Sequence, residues 1–282
     1  MSVILVEDNY GKSRVRMVKV ARHGDRHDLQ EIEVKIAFEG DFETAHTVGD
    51  NSRILPTDTM KNSVYALAKQ SPEIEAIEEF ALRLADHFLK ENPQISRVII
   101  EVAEKQWERI SVGGREHAHS FVKSGDEKHT TRVSATRDGV SLESGIEDLL
   151  VLKTTGSGFS GFIKDRYTTL KETDDRIFAT SVKVMWRYPN RQAPFKSIWR
   201  GVRQMILETF AEHDSLSVQQ TLYAIGEVVL NTYDEITEIS LSLPNKHCLL
   251  VDLTPFGMTN ENQIFLPIDE PHGLIEARMK RS

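Results

Sequence analysis

The chain has very little cysteine, no long apolar run and no surplus of positive charge. Its 282 residues include one cysteine, so no intramolecular disulfide can form, which suits a reducing compartment. No apolar stretch approaches the roughly 20 residues that a membrane-spanning helix needs. The formal net charge of -8 argues against a nucleic-acid binder that relies on a broad basic surface. With no recognisable signal peptide or peroxisomal signal, we expect a soluble, cytoplasmic protein.

Hydrophobic periodicity predicts strands and helices in a definite order in the first half of the chain. The clearest strand is 31–38, where apolar and charged residues alternate with period two, as in an antiparallel sheet with one wet face. Apolar residues at helical spacing follow. They predict a helix that begins at Asp58 with Thr57 as its cap, and a second helix capped by Ser71 and Pro72. Two more strands complete the order strand, strand, helix, helix, strand, strand.

The second half repeats this order, although the residue identities do not repeat. Its predicted elements are strands at 149–152 and 177–186, helices around 198–206 and 217–229, and strands at 239–243 and 249–253. We therefore predict a duplicated α+β protein with domains at 1–138 and 139–282. Sheets of this kind have exposed edges that oligomers commonly cover, so a homo-oligomer is expected.

Two local patterns point to ligands only weakly. Thr57 and Asp58 place a hydroxyl, a carboxylate and backbone N–H groups at the positive end of a helix, which favours anions but is also typical of an ordinary cap. His117 and His119 share a strand face, as a pair of metal ligands would. Because no cysteine stands near to complete a zinc set, we predict a structural role for the histidine pair and no metal site.

Eight motifs are more informative together than any one of them is alone. They are Asn9-Tyr-Gly-Lys12, Pro56-Thr-Asp-Thr-Met-Lys-Asn62, His117-Ala-His-Ser-Phe121, Val151-Leu-Lys-Thr154, Tyr167-Thr-Thr-Leu-Lys-Glu-Thr173, Arg176, Ser217-Val-Gln219 and Ser242-Leu-Pro-Asn-Lys-His247. In this order they resemble the urate oxidase (uricase) family, over nearly the whole chain. The resemblance implies a tandem T-fold assembled as a homotetramer, whose strands close into barrels around a tunnel. It also implies oxidation of urate by dioxygen to 5-hydroxyisourate and hydrogen peroxide, without a metal or organic cofactor.

The resemblance assigns substrate contacts to four residues of the second half. Arg176 corresponds to the arginine that grips urate, and Gln219 to the amide that faces it across the substrate. A guanidinium and a carboxamide offer the donors and acceptors that the edges of a flat purine anion require. Phe159 corresponds to the aromatic side chain that stacks on urate. Val218 contributes a backbone N–H at a helix start, where such groups lack partners.

The resemblance also assigns the proton and oxygen chemistry. Lys12, Thr57 and His247 correspond to the proton-handling residues, and Asn245 lies over the ligand plane near the site of dioxygen or water. A lysine can accept a proton only if burial or nearby positive charge lowers its pKa. Asp58 supports this network and the substrate. With Thr57 it is expected to come from a different subunit than the residues that grip urate.

Other interpretations remain open at this stage. A T-fold enzyme acting on pterins, such as a GTP cyclohydrolase-like hydrolase, would need a Cys/His zinc site, for which Cys248 alone is poor material. A purine-binding module without catalytic activity is the other alternative, and the joint presence of the three proton-handling residues argues against it. From sequence alone, Arg176 would be expected in a surface salt bridge with Asp174 or Asp175.

Overall fold

The fold is described from a computed structural model that covers residues 3–281, and over that range it contains eight strands and five α-helices. The first half has β1 (Asn9–His23), β2 (Arg26–Gly40), α1 (Glu43–Thr47), α2 (Thr57–Gln70), α3 (Ile77–Glu91), β3 (Ile95–Val112) and β4 (Arg115–Thr136). The second has β5 (Val140–Lys153), β6 (Phe178–Tyr188), α4 (Phe195–Glu212), α5 (Val218–Thr232), β7 (Glu238–Leu250) and β8 (Phe265–Lys280).

The strands follow one another in chain order in the sheet, from β1 to β8. The pairs β1–β2, β2–β3, β3–β4 and β7–β8 are antiparallel. The predicted α+β class is therefore confirmed. Each half contains two strands, two long helices and two strands in the predicted order, but the last strand of the second half does not lie where it was predicted. The short helix α1 was not predicted. None of the helices between residues 3 and 281 combines the length and the apolar character needed to cross a membrane.

The chain divides into two compact units. Unit 1 is the chain up to Gly145 together with Arg187–Ser197, and unit 2 is Ile146–Trp186 with the chain from Ile198 onward. The domain boundary predicted between 138 and 139 falls in the turn that joins β4 to β5. The division into 1–138 and 139–282 stays a prediction.

The core of unit 1 lies between the sheet and the helices α2 and α3. In β2 the apolar residues of the alternating pattern are almost fully buried, because period two points them all to the helix side. The same side receives the apolar face of α3, which packs on β3 and β4. Phe38 of β2 meets Phe88 of α3 edge to face, with ring centroids 5.0 Å apart. Burying such a side chain contributes roughly 1.5–3 kcal/mol.

Unit 2 is built on the same principle. The helix α5 packs on β7 and β8, and the rings of Phe178 and Phe210 lie 5.1 Å apart. Its buried apolar residues recur at period two in the strands and at helical spacing in the helices. They include Val182, Val184 and Trp186 of β6, Val202 and Ile206 of α4, Leu222, Ile225 and Val229 of α5, and Ile239, Leu241 and Leu243 of β7.

Both helix starts predicted in the first half were wrong, that of α2 by one residue and that of α3 by several. Thr57 is the first residue of α2 and not its cap, which is Pro56. The second helix begins at Ile77, and the Ser71–Pro72 start is wrong because Ser71 is extended, as residues before proline usually are. The structure caps α3 differently. Its Glu79 carboxylate accepts a hydrogen bond from the backbone N–H of Ala76, at 3.1 Å.

The end of the chain also differs from the prediction. The proposed strand at 249–253 is wrong, because β7 runs without a break to Leu250 and then leaves the sheet. A short 3-10 turn at Thr254–Phe256 follows. The last strand is β8, which sequence periodicity missed because its residues are mostly exposed and include Pro267, Pro271 and Gly273.

Candidate functional site

Arg176 and Phe159 form the most distinctive contact of unit 2. The Cζ atom of Arg176 lies 5.4 Å from the centroid of the Phe159 ring. Burial lowers the pKa of the Arg176 guanidinium, and its Nε atom is buried without a hydrogen-bond partner in the described part of the chain. A partly desolvated cation with an unused donor beside an aromatic ring can bind a flat anion.

The salt bridge expected from sequence alone is not found. Arg176 makes no ion pair with Asp174, Asp175 or any other carboxylate between residues 3 and 281. The Asp175 carboxylate instead accepts hydrogen bonds from the Thr155 hydroxyl and the Gly156 N–H, each at 2.9 Å. The Arg176 guanidinium therefore has no carboxylate partner in the described part of the chain, and its role in binding urate stays a prediction.

A ladder of backbone hydrogen bonds holds the segment that carries Phe159. Phe159 and Thr173 exchange two bonds, of 2.8 and 3.1 Å. One step earlier, Gly158 donates to the Ser215 carbonyl at 2.8 Å, and Ser215 donates to the Gly156 carbonyl at 3.0 Å. Three separate stretches of unit 2, around residues 158, 174 and 216, are thus fixed against one another.

The helix α5 starts directly after this ladder. Ser217 caps it, because its hydroxyl accepts a hydrogen bond of 3.2 Å from the Gln220 N–H. Val218 is the first helical residue and is buried, whereas Gln219 is the second and is exposed. The start near Ser217 agrees with the sequence prediction. It leaves backbone N–H groups of the first turn and the Gln219 carboxamide at the positive end of the helix.

Asn245 and His247 lie on β7 at an irregularity of the β7–β8 pair. Asn245 pairs with Gly273 and His247 with Ile268, so four residues of β8, 269–272, face the single residue Lys246. The Lys246 ammonium binds the Asp269 carboxylate of this bulge at 2.6 Å. Both predicted residues are half-buried. The sequence prediction placed them on one face of a regular strand and had no signal for the bulge beside them.

Lys12, Thr57 and Asp58 belong to unit 1. Lys12 lies just before a bulge in β1, where the register against β2 shifts between Lys12 and Val15 and Arg14 adopts a φ of 57°. Bulges are frequent next to active sites, where they re-aim side chains. Hydrogen bonds from Lys61 and Asn62 lower the pKa of the Asp58 carboxyl, and the charge of Lys12 adds to this effect.

Sequence reasoning missed a residue that supports this part of unit 1. The hydroxyl of Tyr10 accepts a hydrogen bond of 2.9 Å from the Leu55 N–H, and its ring packs edge to face on Phe42 with centroids 4.8 Å apart. Tyr10 therefore ties the start of β1, which carries Lys12, to the loop that leads into Thr57. Its place inside the motif Asn9-Tyr-Gly-Lys12 was the available signal.

His117 and His119 belong to a separate sequence motif, and the structure shows which aromatic rings surround them. The rings of His117 and His119 have centroids 4.6 Å apart, and the ring of His27 lies 5.8 Å from that of His119. Among residues 3–281, no group of three or more histidine, cysteine or acidic side chains has the arrangement that a metal ion requires.

Comparison with known proteins decides the family. The family model described as uricase matches residues 8–134 and 142–276. The chain belongs to the uricase family. A uricase of Arthrobacter globiformis is 44% identical over 279 residues, covering 99% of this chain and 90% of that protein. A uricase of Dictyostelium discoideum is 38% identical over 282 residues, with 99% and 98% covered.

Solved uricase structures share the fold. The crystal structure of uricase from Arthrobacter globiformis has a TM-score of 0.93 and 44% identity, and the match covers 100% of this chain and 96% of that one. A urate oxidase from Bacillus sp. TB-90 has a TM-score of 0.85 at 24% identity, over 97% and 100% of the two chains. These structures support the predicted T-fold class for this member of the uricase family.

Proposed function

We propose that this chain is a urate oxidase, an oxidoreductase with dioxygen as the electron acceptor. Urate, dioxygen and water would give 5-hydroxyisourate and hydrogen peroxide, which balances in atoms and electrons. The observation that carries the proposal is the Arg176 guanidinium, which lies over Phe159 and has no carboxylate partner among residues 3–281, in a chain of the uricase family. The alternative pterin and purely purine-binding functions have no comparable support.

The substrate is clamped from two sides in this proposal. Arg176 presents paired donors to the edge of the urate anion, and Phe159 supplies a flat apolar surface on which the ring stacks, adding about 1 kcal/mol. Gln219 and the N–H of Val218, at the start of α5, bind the opposite edge. The hydrogen-bonded ladder behind Phe159 fixes these groups before the substrate arrives, which reduces the entropy lost on binding.

The proton chemistry is assigned to Lys12, Thr57 and His247. Ground-state dioxygen is a triplet and reacts slowly with closed-shell molecules, but an electron-rich urate dianion can release electrons one at a time. The protein must therefore remove a proton from bound urate and hold dioxygen over the ring. Thr57 suits a relay because its hydroxyl can both donate and accept a hydrogen bond. Asn245 would hold dioxygen or water above the substrate, in a site whose charges are preorganised.

We further propose that the active protein is a homotetramer with sites shared between subunits. Thr57 and Asp58 would then come from one subunit, and Arg176 and Gln219 from another. The long outer strands β1 and β8 support assembly, because exposed edges of this length are usually covered by a partner. Closure of several sheets around a tunnel would cover them.

The activity is tested with metal-free protein mixed with urate in air, while urate absorbance and peroxide are followed together. Equal loss of urate and gain of peroxide supports the proposal. Arg132→Ala is the control for the variant Arg176→Ala. Arg132 is an exposed arginine that pairs with Glu101 in unit 1, so its removal should leave the activity of the parent chain unchanged. No urate loss by the folded, metal-free protein, or loss only after iron or copper is added, would refute cofactor-independent oxidation.

Shared sites are tested by mixing two inactive variants. Lys12→Met and Arg176→Ala chains, unfolded and refolded together, should regain activity if each site draws its proton relay and its clamp from different subunits. If all groups of a site came from one chain, every site in the mixture would still carry a defect. Light scattering of the parent protein should give a mass of about four chains.

A further inference from the structure

We propose that Asp175 is a positioning residue for the substrate clamp, by which we mean the Phe159 ring and the Arg176 guanidinium together. Asp175 directly precedes Arg176 in the chain, and its carboxylate binds the segment that leads to Phe159. The inference rests on the urate oxidase function proposed above and adds a residue through which that site keeps its geometry.

The Asp175 side chain is anchored in a turn of the neighbouring segment. One carboxylate oxygen accepts from the Thr155 hydroxyl and the other from the Gly156 N–H, each at 2.9 Å. Gly156 has a φ of 71°, the left-handed conformation that glycine adopts without strain. Backbone N–H groups around such a turn form a concave site for an anion. Here the Asp175 carboxylate is the anion that fills it.

The electrostatics agree with this geometry. The hydrogen bond from Thr155 is the largest cause that lowers the pKa of the Asp175 carboxyl. Burial opposes it, and the N–H groups of Gly156, Ser157 and Arg176 lower the pKa further. The carboxylate is therefore held in its ionised form by donors on both sides, including the backbone of the substrate-binding arginine itself.

The backbone of Asp175 is fixed as well. Its carbonyl accepts a hydrogen bond of 2.7 Å from the Thr173 hydroxyl, and Thr173 is the backbone partner of Phe159. Side chain and main chain of one residue thus connect both ends of the short segment from Gly156 to Phe159. Without the carboxylate, the turn at Gly156 loses its acceptor, and the ring can shift relative to the guanidinium.

A second possible role for Asp175, neutralising the charge of Arg176, predicts a different mutational pattern. Charge removal would make Asp175→Ala and Asp175→Asn equivalent. Positioning by hydrogen bonds makes them different, because the asparagine oxygen can still accept from the Gly156 N–H. The adjacent Asp174 provides a matched control, since its exposed carboxylate makes no hydrogen bond in the described chain.

The experiment measures steady-state urate oxidation by the parent chain, Asp175→Ala, Asp175→Asn and Asp174→Ala. We expect Asp175→Ala to raise KM about tenfold or more while kcat changes less than about threefold, since a small misplacement of binding groups is costly and the proton relay is left intact. Asp175→Asn should recover most of the loss, and Asp174→Ala should match the parent.

An unchanged KM in Asp175→Ala, or equal KM values for the alanine and asparagine variants, would overturn the inference. If Asp175→Ala does not fold, Thr155→Val tests the same contact from the other side and should also raise KM, by a smaller factor. An unchanged KM in that variant would count equally against the inference. A parent chain that does not oxidise urate refutes the proposed function instead, so the two failures are distinguishable.

Discussion

A buried ion pair between α3 and the sheet of unit 1 should make the stability of this protein depend on pH. The Nε2 atom of His129 in β4 lies 2.8 Å from a carboxylate oxygen of Glu78, the second residue of α3. On the other side of the ring, Nδ1 lies 3.4 Å from the Glu104 carboxylate, and the Ser144 hydroxyl donates to Glu78. The Glu78 side chain is fully buried, and that of His129 is 4% exposed.

Burial alone would lower the pKa of His129, because the charged imidazolium is poorly solvated inside the protein. The Glu78 and Glu104 carboxylates outweigh this effect and raise the pKa to about 9. Burial would likewise raise the pKa of Glu78, but His129 and the Ser144 hydroxyl lower it. Both shifts favour an imidazolium bound to a carboxylate at neutral pH.

The sign of the pH dependence follows from the raised pKa. The folded chain binds the His129 proton more tightly than the unfolded chain, whose histidine has a pKa of about 6.5. The pair therefore contributes its full stabilisation below about pH 6.5 and loses it as the pH rises through about 9. A rise from 6.5 to about 9 corresponds to about 3 kcal/mol in the free energy of unfolding.

Urea unfolding at fixed protein concentration, at pH 6 and at pH 9.5, measures this difference. The parent chain should lose more stability than Glu78→Gln does, by up to about 3 kcal/mol, because the amide no longer favours the charged imidazole and only the Glu104 carboxylate remains. His23 forms an exposed pair with Asp28 and Glu73, at 3.5 and 3.4 Å, so His23→Gln is a control that should keep the parent slope. Parallel pH curves for the parent and Glu78→Gln would show that Glu78 does not hold the His129 proton in the folded chain and would refute this reasoning.

Three substitutions test the proposed site directly. Arg176→Ala should mainly raise KM for urate, because it removes a contact with the substrate anion. Lys12→Met should mainly lower kcat, and steady-state kinetics distinguishes the two effects. An unchanged kcat in Lys12→Met would contradict the proton relay. Gly158→Ala would place a Cβ atom 3.1 Å from the Asp174 carbonyl oxygen, so we expect the ladder at Phe159 to loosen and the free energy of unfolding to fall by about 1 kcal/mol or more. Thermal and urea unfolding measure the stability of Gly158→Ala against that of the control Gly139→Ala, whose added Cβ atom has no neighbour within 4 Å. Equal stability of the two variants would contradict this prediction.

Periodicity predicted most of the fold because most elements bury one face. The alternation at 31–38 and the helical spacing in α3 and α5 reflect that burial directly. The elements that periodicity missed or misplaced depend on something else. The start of α3 depends on a side chain inside the helix, Glu79, that returns to the backbone of Ala76. Ser71 and Pro72, which begin six residues before the first residue of α3, gave a stronger local signal for a helix start, and that signal was misleading.

The strand β8 shows a different limit. Its residues are mostly exposed and give no clear alternation, so nothing local distinguishes it from a loop. It is a strand because β7 offers a partner, in a register that runs from Glu238 opposite Lys280 to Leu250 opposite Phe265. Pairing of this kind is a tertiary property, and a single sequence does not contain the position of the partner strand.

The candidate site residues were predicted from motifs and not from periodicity, and the motifs could not describe their surroundings. Sequence alone favoured a salt bridge for Arg176, because two carboxylates precede it. The structure places the nearer carboxylate, that of Asp175, against Thr155 and Gly156. Whether a charged side chain pairs with its neighbour or faces a ligand depends on the turn at Gly156, which lies 20 residues away along the chain.

The two irregular places in the sheet lie beside candidate site residues that do not repeat between the two halves. In unit 1, β1 shifts register directly after Lys12, and in unit 2, β8 places four residues opposite the single residue between Asn245 and His247. A regular strand directs side chains only to its two faces, whereas a bulge turns the strand locally and gives a side chain a new direction. Each half keeps a regular core that stabilises it, and each has its irregularity beside residues that the family resemblance assigns to proton and oxygen chemistry. Removing the 269–272 bulge of β8 should therefore leave the core of unit 2 folded while kcat falls.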